Sequence, residues 1–154
     1  LTLWMAVQRE WAGDEKGFVK LVSYNPKSKE WGGVRYPLDK VENGWVGLSE
    51  ISLHGDQVYI IERDNQIGAA AQIKKIFKVA VADLKPAKLD GPLPTVSKVE
   101  VRDLLPDLRS MGGYVLDKVE GLTFDSTGTG YVITVNDGVD DSNGETICWS
   151  IGKL

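Results

Sequence analysis

Tyr59-Ile60-Ile61-Glu62-Arg63-Asp64-Asn65 is an apolar run that stops abruptly on four polar residues, three of them charged. Tyr and Ile favour the pleated, half-buried surface of a strand, so the run reads as a strand that delivers charge to its own end. Two relatives flank it: Met5-Ala6-Val7-Gln8-Arg9-Glu10-Trp11 upstream and Tyr131-Val132-Ile133-Thr134-Val135-Asn136-Asp137 downstream. Met5, Tyr59 and Tyr131 then hold equivalent places, 54 and 72 residues apart.

Around these three runs the chain reads as three antiparallel meanders, with units at about 1–45, 46–117 and 118–154. Leu1 to Val7 is a strand and Gln8 to Gly17 a polar loop. Phe18 to Tyr24 alternates with period two, Val19, Leu21 and Ser23 on one face and Phe18, Lys20, Val22 and Tyr24 on the other. Asn25-Pro26-Lys27-Ser28-Lys29 is turn chemistry, and Glu30 to Leu38 resumes as a strand with a bulge or bend at Gly32-Gly33.

The second unit has strands at Val46–Leu53 and Gln57–Glu62 about a His54-Gly55-Asp56 turn. From Ala69 to Leu84 a helical stripe competes with strand formers; Ile73, Ile76, Phe77, Val79 and Val81 decide for a strand over Ile73–Val81. Lys74, Lys75 and Lys78 then form a solvated strand face. A Pro-rich surface excursion follows, with Pro86, Gly91, Pro92 and Pro94, then an outer strand at Lys98–Arg102 and a helical turn at 103–108 ended by Gly112-Gly113. The third unit has strands at 118–125, 130–135 and 145–151.

Meanders repeated every 40 to 50 residues or so, apart from insertions, are the pattern of β-propeller blades. Propellers have about 4 to 8 blades, and this chain holds two to three. Open blades expose apolar sheet faces and unpaired edges. The expectation is an all-β, partial set of antiparallel four-stranded blades, with the remaining blades elsewhere in the same protein. Leu1-Thr2-Leu3-Trp4-Met5 reads as a strand interior without a polar lead-in, so the true start is expected upstream.

The net charge of −4 and pI near 5.0 lack the basic footprint of non-specific nucleic-acid binding. No apolar run approaches the roughly 20 residues of a transmembrane helix, and no signal-peptide pattern opens the chain. Cys148 has no intrachain partner and reads as a small core residue.

Gln8-Arg9-Glu10-Trp11, Tyr36-Pro37-Leu38-Asp39, Val46-Gly47-Leu48-Ser49-Glu50, Ile61-Glu62-Arg63-Asp64-Asn65, Lys118-Val119-Glu120-Gly121-Leu122 and Asn136-Asp137-Gly138-Val139-Asp140-Asp141 carry a resemblance. On these stretches the chain resembles the C-terminal part of the phytase-like domain, the esterase-like activity of phytase domain of bacterial secreted proteins. The resemblance implies a β-propeller, a secreted or periplasmic location, and a phosphoester hydrolase activity dependent on calcium. Fold analogy alone does not establish function, and no catalytic residue is carried over from the family.

The candidate site comes from the repeats. If equivalent strands lie side by side, their polar ends converge on one channel mouth. Glu10, Glu62, Asp64, Glu120 and Asp137 would supply the oxygens of a Ca²⁺ site, which takes 6 to 8 of them, with Glu50 a further neighbour. Arg9 and Arg63 would hold a phosphate ester in the bidentate manner of guanidinium. Bound cations would neutralise the phosphate, polarise phosphorus and activate a water for in-line attack.

The plainer reading makes the same charges ion pairs between blades, Arg9 with Glu10 and Arg63 with Glu62 or Asp64, in a propeller that binds a ligand or protein without catalysis. A third reading is an ester hydrolase with its nucleophile elsewhere, since no Gly-x-Ser-x-Gly elbow is present. The loop from Asn136 to Glu145 fails the EF-hand pattern at positions one and twelve, Val139 and Ser150. An irregular Ca²⁺ loop of Asp137, Asp140 and Asp141 competes there with a solvated acidic turn. His54 reads as a solvated turn residue. Trp4, Trp31, Trp45 and Trp149 read as fillers of blade interfaces, with Trp11, in a loop, the exception.

Overall fold

Ten strands form three antiparallel sheets in the computed structural model, which describes residues 1–111, 114–116, 118–136 and 146–154. The first sheet has the order β1-β2-β3 (Leu3–Ala6, Phe18–Asn25, Glu30–Pro37). The second is β4-β5-β6-β7 (Val46–His54, Gln57–Asp64, Lys74–Ala80, Val99–Asp103), and the third β8-β9-β10 (Val119–Phe124, Thr129–Thr134, Cys148–Lys153). One short helix, α1 (Leu105–Ser110), follows β7.

The strand reading of Ile73–Val81 holds: β6 pairs along β5 from Gln57↔Ala80 to Arg63↔Lys74. The branched side chains of β5 and β6 alternate between two cores. Ile61 and Ile76 join Val119, Leu122 and Val132, whereas Ile60 and Val79 join Leu21, Val34 and Leu48. The second sheet therefore sits between the other two and supplies both cores.

The seams repeat. Ser49 Oγ donates to the Val119 carbonyl at 2.6 Å near the start of β4 and β8, and His54 stacks on Phe124 at their far ends, centroids 4.6 Å apart. β4 and β8 thus run parallel. Beside them β5 opposes β8, with Arg63 on Glu120 at one end and Tyr59 on Phe124 at the other. β1 opposes β4 in the same sense, since Gln8, just past β1, accepts from the Leu48 N–H at 3.1 Å, while Leu3 and Trp4 lie beside Ile51 and Leu53. β1 thus stands to β4 as β5 stands to β8.

The register corrects one equivalence. Trp4 and Ala6 face the core shared with the second sheet, whereas Tyr59 and Ile61 face the core shared with the third. Trp4 and Ala6, not Met5, therefore occupy the places of Tyr59 and Ile61. The 72-residue spacing holds through the ladders, where Leu48↔Glu62 and Val119↔Thr134 each precede a bulge.

Gly32 and Gly33 pair regularly with Ser23 and Val22, without a bulge. They are small because the Pro-rich excursion lies on them: a Cβ on Gly33 would come within 2.9 Å of Leu89. Three other expectations fail. Lys74 is fully buried. Cys148 is exposed on the edge strand β10. Trp31 is exposed, resting on Tyr24. Gly112-Gly113 and the loop with Asp137, Asp140 and Asp141 lie outside the described residues.

Candidate functional site

Trp45 is the meeting point of the two predicted arginines. It precedes β4, its N–H donating to Asn65 Oδ1 at 3.0 Å and its carbonyl accepting from the Asn65 N–H at 3.2 Å, so the ladder extends past the strand ends. Gly44 makes this turn with φ +81°, and a Cβ there would fall 2.1 Å from Asn65 Oδ1. Over the Trp45 ring lie the guanidinium carbons of Arg9, at 4.3 Å from the centroid, and of Arg63, at 5.5 Å. Such stacking holds a planar cation without using up its donors.

The two arginines differ in what else they touch. Arg63 has only 3% of its side chain exposed and donates to Glu120 at 2.7 Å, tying β5 to β8. Arg9 has 44% exposed, and its one ion pair among the described residues is a long contact with Glu10 at 3.6 Å. Glu10 is held from behind by the Gly17 N–H at 3.1 Å. Backbone N–H groups, its own and that of Gly17, keep its carboxyl below the usual range. Arg9 and Glu10 open on a cavity of about 640 Å³ that Lys16, Asp39, Lys40 and Trp45 also line.

The remaining carboxylates face inward. Glu62 accepts from Tyr36 Oη at 3.0 Å, from Lys98 Nζ at 2.6 Å and from the Asp39 N–H. Burial nonetheless pushes its carboxyl above the usual range, because desolvation outweighs the facing ammonium. Lys98 also pairs with Asp39 at 2.8 Å and lies 4.0 Å over the Phe77 ring.

Asp64 accepts from the N–H groups of Gln66, Gln72 and Ile73 at 3.1, 2.6 and 2.9 Å. Its Oδ1 also pairs with Lys74 Nζ at 2.9 Å, both side chains wholly buried. The Lys74 ammonium further donates to the carbonyls of Asp64 and Gln66 at 2.8 and 2.9 Å. Three oxygens thus replace its water.

Among the described residues, Glu10, Glu62, Asp64 and Glu120 are not brought together as one metal set. Glu62 and Asp64 present oxygens already engaged by N–H, O–H and ammonium donors, which does not fit a Ca²⁺ cradle needing several open carboxylates. Glu10 and Glu120 are paired to different arginines, and Asp137 lies outside the described residues. Among the described residues no group of three or more His, Cys, Asp or Glu side chains could hold a metal.

The ion-pair reading has its partners partly rearranged, Arg63 going to Glu120, Glu62 to Lys98 and Asp64 to Lys74. Lys74, Lys98, Tyr36 and Trp45 were missed as members of this network. Only the abrupt run of charge after an apolar strand signals that buried partners are needed.

A family model described as Phytase-like: Esterase-like activity of phytase matches residues 1–138. No match was found among the curated proteins or among the solved structures. With the match spanning most of its length, the chain belongs to the Phytase-like family.

Proposed function

We propose that the protein is a phosphoester hydrolase of phytase-like type and that Arg9, on its Trp45 platform, binds the phosphate. Family membership suggests activity of this class. The observation that carries the site is the state of Arg9: stacked, half exposed, touching Glu10 by a long Nε contact of 3.6 Å, and at the edge of a cavity. A guanidinium so placed keeps its fork of donors for an oxyanion. Arg63 holds Trp45 from the second sheet, and Lys16 and Lys40 line the same cavity alongside the carboxylates of Glu10, Asp39 and Glu42, so the attraction for an ester rests on the open fork of Arg9 and not on net charge.

The three sheets read as blades of a larger propeller. Supporting this, Tyr131 and Ile133 are exposed on the face whose equivalents, Tyr59 and Ile61, are buried against β8. The protein is an exported one, in keeping with the resemblance.

The test is hydrolysis of phytate and of 4-nitrophenyl phosphate by the intact protein, each with added Ca²⁺ and with chelator. Release of phosphate in either condition supports the reading. Inactivity on both substrates in both conditions overturns it in favour of a ligand-binding propeller.

A further inference from the structure

A second cavity, of about 570 Å³, lies between the 9–17 loop and the Pro-rich excursion, away from Arg63 and Trp45. Its wall is fixed. Gly33 and Ala87 exchange backbone hydrogen bonds at 2.9 and 3.0 Å, the Arg35 N–H donates to the Pro94 carbonyl at 2.8 Å, and the Val96 N–H donates to Arg35 at 2.9 Å. The Arg35 guanidinium also donates through Nε and Nη2 to Thr95 Oγ1 at 3.1 and 3.0 Å.

Trp11 stands at the mouth with 47% of its surface exposed. Its loop is tied by the Trp11 N–H donating to Asp14 Oδ2 at 2.9 Å and the Asp14 N–H donating to the Trp11 carbonyl at 3.0 Å. Lys20 Nζ lies 4.5 Å from the ring centroid. A large indole held in place yet left in water beside a cavity is a contact surface in waiting, because covering it removes apolar area from water.

The lining's charges cancel. Lys20 pairs with Asp14, and Arg35 pairs with Glu15 at 2.7 Å. A phosphate would meet no net positive charge here, whereas a neutral polyol would find both acceptors and donors. Phe18, Leu89 and Leu93 supply the apolar part, and the volume lies within the roughly 300–1,000 Å³ of small-molecule sites.

We propose that this groove binds a neutral saccharide, one pyranose stacking its C–H face on Trp11 while Asp14, Glu15 and Arg35 hydrogen-bond its hydroxyls. This site is independent of the phosphate-ester reading, so either can fail without the other.

Isothermal titration of the whole protein with maltotriose, cellotriose, xylotriose and chitotriose tests it. At least one binds with a Kd below about 1 mM. Trp11→Ala weakens that binding about tenfold or more, Trp11→Tyr retains most of it, and Trp31→Ala, removing another exposed indole, leaves it unchanged. Should Trp11→Ala fail to fold by circular dichroism, the indole resonance of Trp11 in the wild-type protein, assigned with Trp11→Tyr, shifts on saturation. Failure of all four sugars to bind at that strength, wild-type affinity in Trp11→Ala, or saturation without a Trp11 shift overturns the proposal.

Discussion

Lys74 places an ammonium where water does not reach, and Asp64 with two carbonyls replaces that water. Removing one partner of such a pair leaves the other charged and buried, at a cost of about 3–5 kcal/mol. Lys74→Met is therefore expected to lower the stability of the folded chain by about that amount in urea denaturation, and Lys75→Met, a partly exposed neighbour, by less than about 1 kcal/mol. Glu62 adds a pH dependence of the opposite kind to ordinary acid unfolding. Its carboxyl is raised by burial above the ordinary value of 4.5, so the folded state binds the proton more tightly than the unfolded one. Its contribution is thus fully present below the unfolded value and is lost as pH rises through the folded value. Relative to Glu62→Gln, which does not titrate, the wild-type protein is expected to lose urea resistance as pH rises above about 4.5 and then level off; parallel curves would show that Glu62 carries no such burden. None of this is visible from residue types alone. Lys74 sits among lysines that face solvent in sequence terms, and only the fold turns Asp64 and the Gln66 carbonyl onto it.

At the level of elements, most strands are legible because their apolar residues alternate or are β-branched. Val19 and Leu21 reach one core together, and the branched Ile73–Val81 run outweighs its helical stripe. What the alternation cannot reveal is a single-residue offset, since Met5 and Trp4 are both apolar and only the packing of β1 on β4 selects Trp4. The same limit applies to glycine. Gly32-Gly33 suggests a bulge by composition, whereas the space is taken by the excursion. Gly47 marks the β1–β4 seam, where a Cβ would fall 2.5 Å from the Gln8 carbonyl oxygen. Gly47→Ala forces the strands apart and breaks the Leu48–Gln8 hydrogen bond. It is expected to cost about 1–3 kcal/mol, measurable as a lower urea midpoint, with faster amide exchange at Leu48.

For the whole molecule, three strands that end in polar residues were legible in the sequence, and the ends of two of them meet, Arg9 and Arg63 lying over Trp45. Which of them remain open to a ligand was not legible, because that depends on partners far away in sequence: Tyr36, Lys98 and Lys74 occupy Glu62 and Asp64, whereas Arg9 keeps its fork. The exposed Tyr131, Ile133 and Val135 face bears on the propeller proposal. The 154-residue chain alone is expected to self-associate in light scattering, and a monodisperse folded monomer would count against missing blades. The proposed site rests on Arg9, stacked on Trp45, binding the phosphate of the substrate. Its most direct test is kcat/KM for 4-nitrophenyl phosphate in the intact protein and in Arg9→Ala, whose half-exposed side chain can be removed without unfolding the sheets. A fall of about tenfold or more is expected, about 1.4 kcal/mol of transition-state stabilisation, with unchanged thermal stability. Equal kcat/KM in the two proteins would contradict it.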